Sequence, residues 1–295
     1  MENNSNSVFH LAALKNGDLA GSYVGGTIKI WNPNDGSVKF TLNEYNHINH
    51  QVLYLAVLLN GDLVSGSRGG LIRIWNTNDG SVKFTIDDYK SWILSLAVLK
   101  NGDLASGSND GKIKIWNTIN GQLKNTFIPN SLGIMSLAIL QNGDLVSGSR
   151  DGTIKILNAN DGSLRMKLNI SSEMAQFLIV LKNGDLASWS TDGTVKIWDT
   201  TDGILKMNII ATSECARWFC QFLRALKTLK NGDLVSANYN KIKIWNTNDG
   251  SLKKTITDPV KTRYIKRLAV LYNGDLAVGY DDGSIRILNK NLIFG

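Results

Sequence analysis

The phrase Asn-Gly-Asp-Leu, which occurs seven times, is the feature that most constrains the fold of this 295-residue chain. Successive copies are 44, 41, 41, 41, 48 and 42 residues apart, and they begin at Asn16, Asn60, Asn101, Asn142, Asn183, Asn231 and Asn273. A period of this length is typical of architectures that repeat one supersecondary unit. We therefore expect seven copies of a single structural unit.

Each unit reads as four short β-strands separated by turns. In the second unit the apolar run Val52–Leu58 precedes the Asn-Gly turn, and Leu63–Ser67 follows it. Asn-Gly predicts a two-residue type I′ hairpin turn, which has positive φ at both central residues. The third strand is a segment such as Ile113–Trp116, and Val82–Ile86 represents the fourth. The repeated phrase is therefore assigned an architectural role, as the hairpin between the first and second strands.

Four short strands cannot cover both faces of their own sheet, but seven sheets set radially can, because each packs on two neighbours. The first strand of each unit is almost entirely apolar, as expected of a strand covered on both faces, and the fourth is more polar. The sequence therefore predicts an all-β, seven-bladed β-propeller with four antiparallel strands per blade. We expect residues 1–295 to form this single domain, with blades starting near residues 8, 52, 93, 134, 175, 223 and 265.

Two segments, SGSNDGKIKIWNT (Ser106–Thr118) and SWSTDGTVKIWDT (Ser188–Thr200), resemble the WD-repeat family of propellers. The resemblance covers nearly the whole chain, and it implies a ring whose loop-rich face binds protein partners. The chain departs from the family pattern in that only Trp198-Asp199 forms the Trp-Asp pair and no copy has the usual Gly-His before the inner strand. That family commonly pins its blades by a His–Ser/Thr–Asp–Trp hydrogen-bond network, so we expect an incomplete network here.

Ring closure is expected to differ from the family pattern as well, in which both chain ends usually contribute strands to one blade. The first inner strand is predicted at Val8–Leu14, and a shortened outer strand is predicted at Leu292–Phe294. The first and last blades would then meet only face to face. Two alternatives are that residues 1–7 add a strand and that the chain is part of a longer protein.

The formal net charge of +7 raises the question of nucleic-acid binding. Thirteen of the 32 basic residues, however, occupy two repeat columns spread evenly around the ring, and the repeated Asp offsets part of their charge. A solvated surface is therefore favoured over a nucleic-acid footprint. No apolar run approaches the roughly 18 residues of a membrane helix, and Cys215 and Cys220 are too few for a disulfide framework. We expect a cytoplasmic or nuclear location.

Residues that could support catalysis or bind a metal are few. His10 is assigned to the core or the channel lining, and His47 and His50 to a loop. The sequence shows no Ser/His/Asp arrangement, no metal-ligand spacing and no nucleotide-binding glycine motif. It therefore predicts a protein that is not an enzyme and takes no cofactor or metal. An enzyme that uses the central channel is the lowest-ranked alternative.

In so regular a chain, functional residues are expected where one copy differs from the others without a packing reason. The longest interruption, Ala211–Lys227, lies between blades 5 and 6 and is predicted to cross one face of the disc. It contains Trp218 and Phe222 near Arg217, and aromatic residues beside arginine are common anchors of protein interfaces. The alternative is a structural plug over the neighbouring blades.

The same face is predicted to receive the residue before each inner strand and the residue before each second turn. The first group includes Trp92 and Tyr264, and the second includes Arg68 and Arg150. Arg68, Arg150 and Trp92 would form a patch suited to an acidic or phosphorylated peptide. The sequence therefore predicts a monomeric scaffold that binds a protein or peptide partner through Arg68, Trp92, Arg150, Trp218, Phe222 and Tyr264.

A second basic group leads into blade 7 and supports an alternative function. Its members are Lys261, Arg263, Lys266 and Arg267. These residues would bind anions, either nucleic acid or an anionic lipid surface, and a solvated loop is the competing interpretation. Binding driven by phosphate contacts should weaken steeply between about 50 and 200 mM salt.

Overall fold

Seven small antiparallel sheets form a ring in the computed structural model of this protein. The structure describes residues 7–43, 51–87, 90–169, 174–190, 193–210, 225–260 and 263–294. Every sheet is built from consecutive strands, in order from the innermost to the outermost. Six blades have four strands and the seventh has three, which confirms the predicted all-β, seven-bladed propeller.

The strands follow the repeat closely. Blade 1 contains β1 (Val8–Ala13), β2 (Leu19–Tyr23), β3 (Thr27–Trp31) and β4 (Val38–Asn43). Blade 2 contains β5 (Val52–Val57), β6 (Leu63–Ser67), β7 (Ile72–Trp75) and β8 (Val82–Ile86). Blade 3 contains β9 (Ile93–Val98), β10 (Leu104–Ser108), β11 (Ile113–Trp116) and β12 (Leu123–Phe127). Blade 4 contains β13 (Ile134–Ile139), β14 (Leu145–Ser149), β15 (Thr153–Leu157) and β16 (Leu164–Asn169).

The remaining blades complete the ring. Blade 5 contains β17 (Ala175–Val180), β18 (Leu186–Ser190), β19 (Thr194–Trp198) and β20 (Leu205–Ile210). Blade 6 contains β21 (Ala225–Thr228), β22 (Leu234–Asn238), β23 (Lys241–Trp245) and β24 (Leu252–Thr257). Blade 7 contains β25 (Ile265–Val270), β26 (Leu276–Tyr280) and β27 (Ile285–Leu288), and it is followed by the short helix α1 (Lys290–Phe294).

The hydrophobic core is divided into seven clusters, one between each pair of neighbouring blades. Between blades 3 and 4, for example, Ile113 packs with Ile134. Burial of such a side chain contributes roughly 1.5–3 kcal/mol. The cluster between blades 7 and 1 joins Ala277 to Val8 in the same way. Each sheet is therefore kept dry by its neighbours, as the repeat predicts.

The Asn-Gly-Asp-Leu segments do form the hairpins between first and second strands, but the turn type differs from the prediction. In blade 1 the Gly17 N–H donates to the Leu14 carbonyl at 2.9 Å, and the Leu14 N–H donates to the Asp18 carbonyl at 2.8 Å. Gly17 has a φ of +91°, whereas Asn16 does not have positive φ. Asn16 Oδ1 instead accepts the Asp18 N–H at 3.1 Å. The result is a three-residue loop that ends in a left-handed glycine, not a two-residue type I′ turn.

The aspartate of the repeated phrase is buried and paired in six blades. Each forms a salt bridge of 2.7–2.9 Å with a basic residue of the outer strand of its own blade. The pairs are Asp18–Lys39, Asp62–Lys83, Asp103–Lys124, Asp144–Arg165, Asp185–Lys206 and Asp233–Lys253. One of the two basic columns therefore neutralises buried carboxylates, and it adds little to the field that a polyanion would experience.

Second-strand glycines allow neighbouring blades to approach closely. A Cβ at Gly107 would lie 2.6 Å from a side-chain carbon of Ile134 in the next blade. The same contact recurs between the last and first blades, where a Cβ at Gly279 would lie 2.8 Å from Val8. Because β1 and β25 belong to different sheets, blades 7 and 1 meet face to face over the part of the chain that the structure describes, as expected.

The predicted outer strand Leu292–Phe294 is wrong, because α1 occupies these residues. The segment lacks the turn that leads into the outer strand in the other six blades, which is Asp-Gly in five of them and Asn-Gly in blade 3. Instead, Asn289 Oδ1 accepts the backbone N–H of Asn291 at 2.8 Å, which caps the start of a helix. The Lys290 N–H donates to the Asp275 carboxylate at 2.7 Å. Ile293 is buried in the cluster between blades 6 and 7, which anchors the helix.

A tryptophan–serine hydrogen bond links the third and second strands of four blades. The indole N–H donates to the serine hydroxyl at 2.7–2.9 Å in the pairs Trp75–Ser65, Trp116–Ser106, Trp198–Ser188 and Trp245–Ser236. No histidine takes part among the described residues, so the network is incomplete, as expected. In blade 4, Asn130 donates to Asp151 at 3.2 Å and to Thr153 at 2.8 Å from the loop before the inner strand. Asn130 thus occupies the place of the missing histidine.

Candidate partner-binding face

Backbone hydrogen bonds define the face on which the sequence predicts partner binding, hereafter the loop face. In five blades the residue near the second turn donates its N–H to the carbonyl of the residue before the inner strand, at 2.8–3.1 Å. The pairs are Val24–Ser7, Arg68–Gln51, Asn109–Trp92, Arg150–Gly133 and Asp281–Tyr264. The two groups of loop residues predicted to share one face therefore lie side by side in these blades.

Arg68 of blade 2 is stacked on Trp92 of blade 3. The guanidinium carbon lies 4.1 Å from the centre of the Trp92 ring, and Trp92 is 41% exposed. A cation–π contact at such an exposed site contributes about 0.5–1 kcal/mol. The stack orders a long side chain before any partner arrives, which lowers the entropic cost of binding.

Backbone contacts connect this stack to Arg150 in the next blade. The Asn109 N–H donates to the Trp92 carbonyl at 2.9 Å. Asn109 also packs so closely on Gly133 that a Cβ there would lie 3.2 Å from the Asn109 backbone. The Gly133 carbonyl accepts the N–H of Arg150 at 2.9 Å, and Arg150 is exposed. We call this continuous set of five residues across blades 2 to 4 the loop-face strip.

Two aspartates close to the loop-face strip are held by their own turns. Asp110 forms a salt bridge with Lys112 at 3.1 Å. Burial raises the pKa of Asp110, but hydrogen bonds from Ser108 and Lys112 outweigh burial and lower the pKa below its ordinary value. Asp151 accepts the Thr153 N–H at 2.9 Å, and its pKa is lowered in the same way. Both carboxylates are therefore ionised at neutral pH and already engaged by residues of their own blades.

Tyr264 lies on the loop face of blade 7, apart from the loop-face strip. Its side chain is 45% exposed, and its N–H donates to the Asp281 carboxylate at 2.8 Å. It packs edge-on against Tyr239, with ring centroids 5.4 Å apart. The other two predicted anchors, Trp218 and Phe222, lie outside the described residues. Of the six predicted residues, the structure thus places Arg68 against Trp92, with Arg150 one blade further along the same face and Tyr264 apart from them.

The three described members of the predicted basic group of blade 7 have different surroundings. Arg263 forms a salt bridge with Asp258 at 3.0 Å, and its guanidinium lies 4.0 Å from the centre of the Tyr280 ring. Arg267 lines the central channel. Lys266 is half-buried in β25, with its carbonyl accepting a guanidinium N–H of Arg267 at 2.8 Å, and Lys261 lies outside the described residues.

The sequence interpretation missed two residues that the structure makes prominent. Asp258 organises the loop before blade 7, where it also accepts a hydrogen bond from the Tyr280 hydroxyl. Lys227 belongs to β21 and lines the channel, although the sequence assigned it to the insertion between blades 5 and 6. The available signal was its position four residues after the predicted blade start at residue 223, where the other blades carry an alanine or an isoleucine.

His10 lines the channel, as predicted, whereas His47, His50, Cys215 and Cys220 lie outside the described residues. Within the described ranges, no group of three or more His, Cys, Asp or Glu residues is placed to hold a metal ion. A search of the same ranges finds no helix with the length and apolar character needed to cross a membrane.

Comparisons with known proteins agree with this architecture. The family described as "WD domain, G-beta repeat" matches residues 80–117 and 121–158, which each span one outer strand and the first three strands of the next blade. No curated protein matches the sequence. The crystal structure of the WD40 beta propeller domain of Doa1 aligns with a TM-score of 0.82 and 22% identity, over 98% of this chain and 95% of that chain. At this identity the structural match establishes the fold alone.

Proposed function

We propose that this chain, which carries WD repeats on a seven-bladed propeller, is a non-catalytic scaffold that binds an acidic or phosphorylated segment of a partner protein on its loop face. WD40 propellers are typically protein-interaction scaffolds. The observation that carries the proposal is the stack of Arg68 on Trp92, at 4.1 Å, in a strip that continues to Arg150.

The chemistry of the loop-face strip suits an anionic peptide. A guanidinium group presents a planar fork of N–H donors that matches carboxylate and phosphate oxygens. Because one face of the Arg68 guanidinium is stacked on Trp92, its N–H groups remain available to a partner at the edge of the guanidinium plane. The exposed indole adds apolar contact area of the kind that dominates binding energy at protein interfaces. One rigid aromatic and two arginines on adjoining blades thus support recognition of a charged residue flanked by an apolar one.

The location of the protein follows from the same proposal. A scaffold that recognises phosphorylated segments would meet them in the cytoplasm or the nucleus, and we propose the protein acts there as a monomeric ring. Fractionation of cells that express a tagged chain would test the location.

Fluorescence anisotropy with paired peptides tests the proposed function. Peptides with acidic, phosphoserine or neutral residues beside an apolar residue would be titrated with the full chain. We expect the acidic and phosphorylated peptides to bind, and Trp92→Ala to weaken binding at least tenfold, because it removes both the apolar contact and the platform for Arg68. Arg150→Ala should weaken the binding of the acidic and phosphorylated peptides, and the neutral peptides serve as the non-binding reference.

The matched control is Tyr272→Ala. Tyr272 is 52% exposed but lies beside an Asn-Gly-Asp-Leu turn, at the opposite face of the ring. Tyr272→Ala should leave peptide binding unchanged. Neither Tyr272→Ala nor Trp92→Ala should change the Tm appreciably. Binding that survives both Trp92→Ala and Arg150→Ala, with the fold intact, would place the partner site elsewhere.

A further inference from the structure

The channel at the centre of the ring contains two cavities, of about 520 Å³ and 320 Å³. His10 of β1, Tyr54 of β5 and Lys227 of β21 line both of them. Arg267 of β25 also lines the smaller cavity. The rings of His10 and Tyr54 are in contact, with centroids 4.2 Å apart. Four polar side chains from blades 6, 7, 1 and 2, which are consecutive around the ring, therefore surround the middle of the channel.

Lys227 breaks a repeat column that is otherwise apolar. The equivalent residues of the other blades are Ala12, Ala56, Ala97, Ala138, Ile179 and Ala269. Arg267 stands in a column with no other lysine or arginine, whose remaining members are His10, Tyr54, Ser95, Ser136, Phe177 and Ala225. The fold does not require a cation at either position, since five blades place alanine at the first and two place serine at the second.

The lining carries positive charge, and it includes two buried hydrogen-bonding atoms that the described residues do not satisfy. Among the described residues that line either cavity there is no carboxylate. His10 Nδ1 and Thr228 Oγ1 are buried, and neither has a hydrogen-bond partner within the part of the chain that the structure describes. Burial, and then the charge of Arg267, lowers the pKa of Lys227. Such an arrangement destabilises the free protein, and a bound anion would offset that cost.

We infer that the channel binds a small phosphate-bearing anion at Lys227 and Arg267, with His10 and Tyr54 completing the site. The arginine fork suits phosphate oxygens, and the lysine ammonium adds a second, compact charge. Volumes of about 520 and 320 Å³ are typical of sites for small ligands, so the inferred ligand is a diffusible molecule. This site lies apart from the loop-face strip, and its occupation is independent of the partner proposed for that strip.

Calorimetric titration of the full chain with inorganic pyrophosphate, at pH 7 and constant ionic strength, tests the inference. We expect one saturable site, and at least tenfold weaker binding for Lys227→Ala and for Arg267→Ser. Both replacements install residues that other blades carry in the same column, so the fold should be retained. The control is Lys112→Thr, which removes one positive charge from the loop face and installs the residue that blade 4 carries at Thr153. It should bind as the wild type does.

Thermal unfolding separates a ligand site from a structural role. Without ligand, Lys227→Ala should raise the Tm by roughly 2 °C, because a partly desolvated cation is removed. With saturating pyrophosphate the wild type should gain stability and the variant should not. A lower Tm for the unliganded variant, the absence of a saturable heat, or equal weakening by Lys112→Thr would overturn the inference. Equal affinity for succinate would overturn the assignment to phosphate.

Discussion

Replacing Ser188 with alanine tests whether the indole–serine hydrogen bond stabilises a blade beyond apolar packing. Trp198 Nε1 donates to Ser188 Oγ at 2.8 Å, and both side chains are buried. Ser147 is the matched control, because it occupies the same position in blade 4, where Leu157 replaces the tryptophan of the third strand. Both hydroxyls lie 3.5 Å from a third-strand carbonyl of their own blade. The two serines therefore differ in a single strong contact.

The structure sets the expected magnitude of each effect. Ser188→Ala removes the acceptor of the buried Trp198 N–H, and a buried donor that loses its partner costs about 1–3 kcal/mol. Ser147→Ala removes only a contact at the outer limit of hydrogen-bond distance, so we expect about 0.5 kcal/mol or less. For a domain of this size each kcal/mol corresponds to roughly 2–4 °C in Tm.

Urea unfolding followed by circular dichroism would measure both variants. A Trp198→Phe background provides the second arm, because phenylalanine has no N–H to lose its acceptor. In that background Ser188→Ala should cost no more than Ser147→Ala does in the wild type. Equal losses for the two single variants, or an undiminished loss in the phenylalanine background, would refute the reasoning.

Two further predictions concern packing and pH. Gly107→Ala should lower the free energy of unfolding in urea by about 1–3 kcal/mol, because its Cβ would lie 2.6 Å from Ile134; a neutral effect would contradict the close blade contact. Asp258→Asn should flatten the acid limb of a plot of Tm against pH. Burial raises the pKa of Asp258, but hydrogen bonds from Tyr280 and Arg263 outweigh burial and lower it. The stability it contributes is therefore present above its unfolded pKa of about 3.9 and lost as the pH falls through the lower folded value, so identical acid limbs would contradict this role.

The fold could be predicted from the sequence because one repeated phrase sets the period of the units. Within each unit, the turns leave only one position for each strand. The two wrong predictions, of a turn type and of the last outer strand, concern short segments whose sequence is compatible with two structures. Asn-Gly is compatible with either of two hairpin loops, and the Asn16 side chain, which bonds the backbone of Asp18, decides between them. At Lys290–Phe294 the apolar pattern is too short to distinguish strand from helix, and the cap at Asn289 decides.

The candidate sites were predictable only where they follow the repeat. Arg68 and Trp92 could be placed on one face because both occupy fixed positions relative to the turns, and the structure stacks them. Their partner-binding role stays a prediction. Lys227 was missed because it follows directly on an insertion. There the residues cannot be aligned with the other repeats before Leu229, which matches the leucine of every other blade. Comparison of the inner strands column by column would have exposed it.

The way the ring closes has a consequence for how such a molecule can vary. Blade 7 meets blade 1 through the same kind of contact that joins every other pair, and each sheet comes from one uninterrupted stretch of chain. The starting point of the polypeptide around the ring is therefore arbitrary, and a circular permutant that begins at β9 would reproduce all seven interfaces. A whole unit could likewise be copied or deleted without leaving a half-built sheet. The number of blades is thus freer to change over evolution than the construction of any one blade.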